Sequence, residues 1–411
     1  MTFAAACLMG LEGLAAQELR EMGCENVRAE NARVLFDGDE AALARALLGS
    51  RFSERIGILV GEFEARSFEE LFQGVKALPW EEVIGREDAF PVTGSCLSSR
   101  LMSVRDCQSI VRKAMAQRLG KAYGRSWLEE TGPVHRVRFV ILKDRVSLVL
   151  DATGEGLHKR GYRAHSNEAP LKETLAAALC QLSRLRGDGT LIDPFCGSGT
   201  ILIEGAMLAM GLAPGLRREF AAQAWRESHE AVWREQRDYW ESQAKRDGGF
   251  QGFGYDIDPE AVELTRHNAR LAGVGESLTV ACRDVRDFVP ETEYGCVITN
   301  PPYGKSWKTD KEKIYHEKQL LDHRFELELT NFAGEQETLD STPRTSDGQL
   351  LFILEEVDKM KPLEYQPQGS RVASIHNGSS LFTGDAGSGE SNIRRYLIEN
   401  DLVDAIIQLT N

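Results

Sequence analysis

The 411-residue chain has few prolines, 13, few aromatic residues, 8%, and no apolar run near the roughly 20 residues that a membrane-spanning helix requires. Collagen-like and Pro-rich classes are thereby excluded, and a disordered class is excluded by the 42% apolar content. The eight cysteines are scattered with no C-x-x-C pair, which argues against zinc. Met1 to Cys7 shows neither the basic start nor the apolar stretch of a secretion signal, so the cysteines are expected as thiols in a reducing cytoplasm. The histidines, His376 among them, have no ligand spacing, and no metal is expected. Cationic charge is also scarce: 49 Lys and Arg stand against 63 Asp and Glu, a formal −14. Over the whole chain this argues against a nucleic-acid partner, because phosphates are held by Lys and Arg.

The deficit is not uniform. Residues 1–165 carry 23 basic and 23 acidic side chains, so the entire −14 belongs to 166–411. Within 100–165 there are 14 basic and 6 acidic residues. Such an excess is either a solvated face or an electrostatic footprint for phosphates. The first third reads as mixed α and β, with strands at 4–9, 34–37, 56–63, 89–92, 134–142 and 145–151, the last two joined by a tight Lys143-Asp144 turn. Helices are predicted at 11–22, 40–48, 68–75 and 103–120. After a helix at 171–184, strands and helices alternate, which predicts a parallel sheet with strands at 190–193, 250–256, 278–282, 295–299, 370–375 and 405–409. An insertion at 207–249 carries Trp225, Trp233 and Trp240 at helical spacing, a packing pattern rather than a cofactor box. Residues 305–349 are polar and weakly patterned, and read as a long loop.

Three strings carry chemistry. Asp193-Pro194-Phe195-Cys196-Gly197-Ser198-Gly199-Thr200 joins a buried strand to a helix, and its two glycines let a ligand approach the backbone. It lacks the Lys-Ser or Lys-Thr of a P-loop. In Gly254-Tyr255-Asp256-Ile257-Asp258-Pro259 an acid ends the second strand, and Asp258 before Pro259 reads as a helix N-cap. Asn300-Pro301-Pro302-Tyr303 follows the fourth strand. Its Asn300 amide oxygen and Pro301 carbonyl can accept both hydrogens of an sp² amine, Tyr303 offers a stacking face, and the prolines fix the turn.

The first string resembles motif I of class I S-adenosylmethionine-dependent methyltransferases, and Asn-Pro-Pro-Tyr resembles motif IV of those that methylate exocyclic amines of adenine or guanine. The resemblance implies a Rossmann-like α/β sheet and S-adenosyl-L-methionine as cofactor. Asp193, Phe195, Gly197, Gly199 and Thr200 would cradle it, Asp256 would hold the ribose, Ile257 would pack on adenine and Asp284 would accept the adenine amine. Lys172, in the segment before motif I, would line the methionine end or lie on the surface. The catalytic set would be Asn300, Pro301, Pro302 and Tyr303. Residues 1–304 are similar to the THUMP-containing bacterial methyltransferases of guanine N2 in large-subunit ribosomal RNA, through the basic run at 98–118 and His158-Lys159-Arg160-Gly161-Tyr162-Arg163.

That likeness implies a ferredoxin-like part at 1–55, a THUMP RNA-binding domain at 56–165, and a methyltransferase core at 166–304 that includes the 207–249 insertion. It also implies structured RNA as the partner, held by Arg100, Arg105, Arg112, Lys113, Arg118, Lys159, Arg160 and Arg163. Past Gly304, Lys305-Ser306-Trp307-Lys308 and the 369–411 block, with Ser374-Ile375-His376-Asn377-Gly378, instead resemble the modification subunit of type I restriction systems, an adenine-N6 DNA methyltransferase. The expectation is a join of two families at their shared Asn-Pro-Pro-Tyr-Gly, a recombinant or misassembled frame that stops before a seventh strand. Three readings remain at this point: a ribosomal RNA methyltransferase, a DNA methyltransferase, and an inactive chimeric RNA-binding protein.

Overall fold

The computed structural model describes all residues except 164–170, 226–227, 288–294, 302–305, 317–318, 361–363, 365–371 and 408–411, and the side chains of Arg286 and His316. Two compact units emerge. Met1–Gly161 groups with Gly211–Lys245, and Tyr162–Met210 groups with Arg246–Leu409.

The first unit is built on a seven-stranded sheet. Its strands are β1 (Thr2–Cys7), β2 (Glu25–Glu30), β3 (Arg33–Asp37), β4 (Ser53–Glu64), β5 (Val92–Leu97), β6 (Val137–Leu142) and β7 (Arg145–Asp151), in the order β2-β3-β1-β4-β7-β6-β5. The twelve-residue β4 pairs with β1 on one side and β7 on the other, so the 1–55 and 56–165 segments share one sheet. Lys143 and Asp144 form the two-residue turn between β6 and β7, both at positive φ, as that hairpin type requires. β2 is the strand the hydropathy pattern does not announce: Glu-Asn-Val-Arg-Ala-Glu is an exposed edge, where charge discourages pairing with another chain.

Helix Val104–Tyr123 starts on a Ser103 cap and ends on left-handed Gly124. It buries Cys107, Val111, Ala114, Met115 and Leu119 and turns Arg105, Arg112 and Lys113 outward. The inserted segment folds onto this unit. The Trp233 ring stacks on Phe220 at 5.7 Å, the Trp225 ring on His135 at 5.2 Å, and the Trp240 indole donates to the Arg45 carbonyl at 3.1 Å, so all three tryptophans are packing groups.

The second unit holds a parallel sheet of β8 (Thr190–Asp193), β9 (Gln251–Asp256), β10 (Leu278–Cys282), β11 (Cys296–Thr299) and, past the hairpins below, β16 (Val372–Ser374), ordered β10-β9-β8-β11-β16. After β8 the chain adds β9 and β10 to one side, then returns to place β11 on the other. The loop expected at 305–349 is instead two hairpins, β12 (Tyr315–His316) with β13 (Gln319–Leu320) and β14 (Glu326–Thr330) with β15 (Gln336–Asp340), preceded by a helical turn Lys308–Lys311. The polar average conceals a period of two in β14, which buries Leu327 and Leu329 and exposes Glu326 and Glu328. Leu327 joins Phe325, Leu350, Leu354 and Ile393 in a core cluster. The strand expected at 405–409 does not form over its described residues, 405–407, which have no sheet partner beyond β16.

Arg160, expected among the RNA contacts, is 3% exposed. Its guanidinium donates to the carbonyls of Leu157 and Arg51 at 2.7 Å and of Ser50 at 3.4 Å. Beside it the buried Glu18 accepts from the Arg51 backbone N–H and the Ser50 hydroxyl. This corrects the expectation: a guanidinium spent on three buried carbonyls builds the fold and cannot also meet a phosphate. Arg160→Ala is therefore expected to lower the unfolding free energy by about 3–5 kcal/mol in urea titrations, the loss typical of a broken buried charge network. Arg105→Ala, on the exposed face, is expected to stay within about 0.5 kcal/mol.

Candidate active site

Parallel pairing brings the carboxyl ends of the five strands of the second unit to one edge. β8 ends on Asp193 and β9 on Asp256, β10 is followed by Asp284, β11 by Asn300, and β16 by Ile375 and His376. Open α/β sheets bind ligands outside this edge, where the order of strand addition reverses, which here is between β8 and β11. A hydrogen bond spans that point, with the Thr299 hydroxyl donating to Asp193 Oδ1 at 2.9 Å. The Phe195 N–H donates to the same oxygen at 3.2 Å. Burial is the main cause that pushes the Asp193 carboxyl up to about 7. The two donors oppose it and the neighbouring Asp256 adds to it.

The turn after β8 is held from beneath. Gly197 and Gly199 take positive φ of 52° and 80°, and a Cβ on Gly199 would stand 2.6 Å from Thr265 Cγ2. The Gly197 N–H donates to Asp256 Oδ2 at 2.9 Å, and Asp256 Oδ1 accepts the Asp258 N–H at 3.0 Å. Each carboxylate oxygen keeps a second lone pair for a ligand hydroxyl. Asp258 caps helix Pro259–Ala272 as its sequence predicts. From that helix the Thr265 hydroxyl donates to the Gly197 carbonyl at 2.7 Å and the Asn268 amide to the Ser198 carbonyl at 3.0 Å. Both side chains are fully buried. Sequence reasoning missed these two supports, although two polar residues three apart on the inner face of an amphipathic helix were there to be seen.

Phe195 meets Phe352 edge-on at 5.2 Å. Ile257, beside Asp256, is 69% exposed. Asp284 is half-buried in the turn after β10, and Lys172 is exposed at the start of helix Glu173–Leu182. Thr200 is buried, with its hydroxyl accepting from Arg163 at 2.6 Å. Arg163 also donates to the Leu171 carbonyl and faces the buried Glu173, so it braces the start of that helix rather than presenting a charge to solvent. Asn300 Oδ1 is buried and accepts no hydrogen bond. Pro301 is buried beside it, while Pro302 and Tyr303 lie outside the described residues.

In the first unit Arg100, Arg105, Arg112, Lys113 and Lys159 are exposed. Arg112 pairs with Glu130 at 2.7 Å, Lys159 with Glu155 at 2.8 Å, and the half-buried Arg118 is bonded to Glu81. The acidic partners leave Arg100, Arg105 and Lys113 as the least committed of the expected cations.

Comparison with known proteins agrees with this geometry. Residues 2–57 match the RlmL ferredoxin-like domain, 65–151 the THUMP domain, and 160–325 the RMKL-like methyltransferase domain. YpsC of Bacillus subtilis, named as an RNA methyltransferase, is 41% identical over 320 residues, 77% of this chain and 83% of its own. The chain belongs to the THUMP-containing RMKL-like methyltransferases. The methyltransferase match runs to residue 325, past Gly304, where a join of two families was expected. Among solved structures, a Listeria monocytogenes protein described as an N6-adenine-specific DNA methylase is 42% identical with a TM-score of 0.72, covering 76% of this chain and 82% of that one. SMU.472, described as a methyltransferase complexed with SAH, is 38% identical with a TM-score of 0.70, covering 77% and 82%. Among the described residues, no helix of this methyltransferase is long and apolar enough to cross a membrane.

The buried Asp193 gives this site a stability signature. Its folded value of about 7 lies above the ordinary 3.8, so the folded chain holds the proton more tightly and the unfolded chain ionises first. Stability is expected to fall as pH rises from about 4 to about 7, then to level off. Asp193→Asn keeps an acceptor for Thr299 and should flatten part of this slope in urea titrations between pH 5 and 7.5. The remaining slope comes from Glu18 and Glu356, whose carboxyls burial also raises to about 7, opposed by His376, whose imidazole burial lowers to about 4. Equal slopes in both proteins would show that Asp193 does not carry it.

Proposed function

We propose that this chain transfers a methyl group to the exocyclic amine of a guanine in large-subunit ribosomal RNA. The observation that carries the reading is the buried Asn300 Oδ1, a hydrogen-bond acceptor left without a donor beside the strand-order reversal. A buried acceptor of this kind costs about 1–3 kcal/mol unless something arrives to satisfy it, and an amine hydrogen does so. RNA as substrate is supported by the THUMP domain at 65–151, the exposed Arg100 and Arg105, and the name of the Bacillus relative. The cytoplasm, where ribosomal RNA is found, is the corresponding location.

The methyl donor is S-adenosyl-L-methionine, in line with the SAH of SMU.472, and the residues present fit it. The Gly197-Ser198-Gly199 turn, closed to any side chain at Gly199, would receive it with Asp193 behind, Asp256 would accept from the ribose hydroxyls, Ile257 would cover adenine, and Asp284 would accept from the adenine amine. When bound, the cofactor supplies an electrophilic methyl on a sulfonium. The protein's own task is then to aim the amine. Asn300 Oδ1 and the Pro301 carbonyl accept its two hydrogens, which turns the nitrogen lone pair outward, and Tyr303 stacks on the extruded base. The proton is released to water once the new bond has formed.

Adenine N6 in DNA is the second reading, favoured by the description of the Listeria relative. Labelled S-adenosylmethionine offered with unmodified ribosomal RNA or with DNA separates the two. Label in an N2-methylguanosine of RNA is expected, and label confined to DNA would overturn the RNA reading. Asn300→Ala is expected to lower kcat by about 10²–10³, the loss typical of a removed preorganised hydrogen-bonding partner, with the cofactor Kd unchanged. Retained transfer would refute the role given to Asn300.

A further inference from the structure

His376 lies two residues beyond the end of β16, and Asn300 one residue beyond the end of β11. The two strands pair in parallel with Thr299 opposite Ser374, so the sheet sets these two residues just past the carboxyl ends of neighbouring strands. Neither ring nitrogen of His376 is exposed, and neither has a hydrogen-bond partner. That differs from a fold-building histidine. His135, which is more deeply buried at 1% exposure, leaves only Nε2 without a partner: its Nδ1 lies 3.3 Å from the Pro133 carbonyl and 3.4 Å from Asp88, and its ring stacks on Trp225. His376 instead is held by its flanks. Before it, the Ser374 hydroxyl donates to Glu356 at 3.1 Å. After it, the Asn377 N–H donates to Gln349 Oε1 at 2.9 Å, and the buried Gln349 is itself bonded to Asp347 and Ser379. Backbone fixed on both sides with an idle side chain between is how a binding group is preorganised by its supports. Burial also pulls the imidazole down to about 4, with the carboxylate of Asp347 opposing, so the ring is neutral at pH 7 and offers one N–H donor and one acceptor.

We propose that His376 is a specificity-determining residue of the target-base pocket, hydrogen-bonding through its ring nitrogens to the polar edge of the purine whose exocyclic amine is presented to Asn300. A purine carries ring nitrogens and exocyclic groups side by side along that edge, so a base placed with its amine at Asn300 has further polar atoms to satisfy one strand away. A neutral imidazole matches either a donor or an acceptor there. The inference rests on the amine-orienting reading of Asn300, and the experiment keeps the two apart.

Methyl transfer from labelled S-adenosylmethionine to unmodified ribosomal RNA and to DNA is measured, with nucleoside analysis of the product, for the full chain and for His376→Ala, His376→Gln, His376→Leu and Asn300→Ala. Kd for S-adenosylhomocysteine and Tm are recorded for each. His376→Ala is expected to lower kcat/KM for the nucleic acid about 10–100-fold, mainly through KM, with the Kd within twofold. His376→Gln, which also has a donor and an acceptor, should recover part of that loss. His376→Leu should be inactive yet at least as stable as the native chain, because a buried polar group without partners contributes nothing to folding. His376→Ala with native kcat/KM would overturn the proposal, and so would losses that track Tm with no rescue by glutamine. Asn300→Ala with native transfer sinks the reading of Asn300 alone, since the histidine variants still decide their own case. Absence of any amine-methylated nucleoside with the native chain overturns both.

Discussion

The hydrogen bond from Thr299 to Asp193 is the constraint on which the site depends. It closes the gap between β8 and β11, where the chain stops adding strands to one side and begins on the other. Those two strands pair only through Cys296 with Leu191 and Val297 with Ile192, so their carboxyl ends are not tied by the ladder. Thr299 supplies the missing tie from a side chain that is 2% exposed. A buried carboxyl is an expensive partner, and its raised affinity for a proton records that expense. What it secures is a fixed relation between the glycine turn that follows β8 and the Asn300 turn that follows β11, the turns proposed to receive the methyl donor and the amine.

The second support follows from the first. Once Asp193 is committed to Thr299 and Phe195, it cannot also hold the floor of the glycine turn, and that falls to Asp256, Thr265 and Asn268. These groups bind the turn through its backbone N–H and carbonyls. Gly199 is then not merely permissive: with Thr265 directly beneath, any Cβ would push the turn off its supports. The geometry therefore explains why the chain carries glycine at this point and why a threonine and an asparagine are tolerated on the inner face of a helix.

Much of this was readable beforehand, for reasons that differ by element. β8 and β11 were visible as short runs with buried apolar residues bounded by turn residues, and β9 and β10 by their place in the alternation of strand and helix. The acids and the asparagine that end them were visible because they stand where such a run stops. The RMKL-like and THUMP character followed from strings rather than from periodicity. Three things stayed hidden. β2 has no apolar face to betray it, and the hairpins of 315–340 are too short and too acidic for a window average to register. Arg160 and Arg163 look like their exposed neighbours in sequence, and only the fold shows one donating to three buried carbonyls and the other bracing a helix start. A count of positive residues measures charge that is present, not charge that is available.

The same distinction separates structural from functional polar groups at the carboxyl edge. Asp193, Asp256, Thr265 and Thr299 each have protein partners, and they set geometry. Asn300 Oδ1 and both nitrogens of His376 are buried without any. Folding alone does not favour such atoms, since each gives up its hydration and regains nothing until a ligand arrives. Asn268 Oδ1 is also without a partner, but that residue meets its structural purpose through its amide nitrogen. Where an entire hydrogen-bonding function is left idle and the backbone around it is pinned, stability has been given up for readiness, and the proposed target-base pocket is a natural location for that exchange.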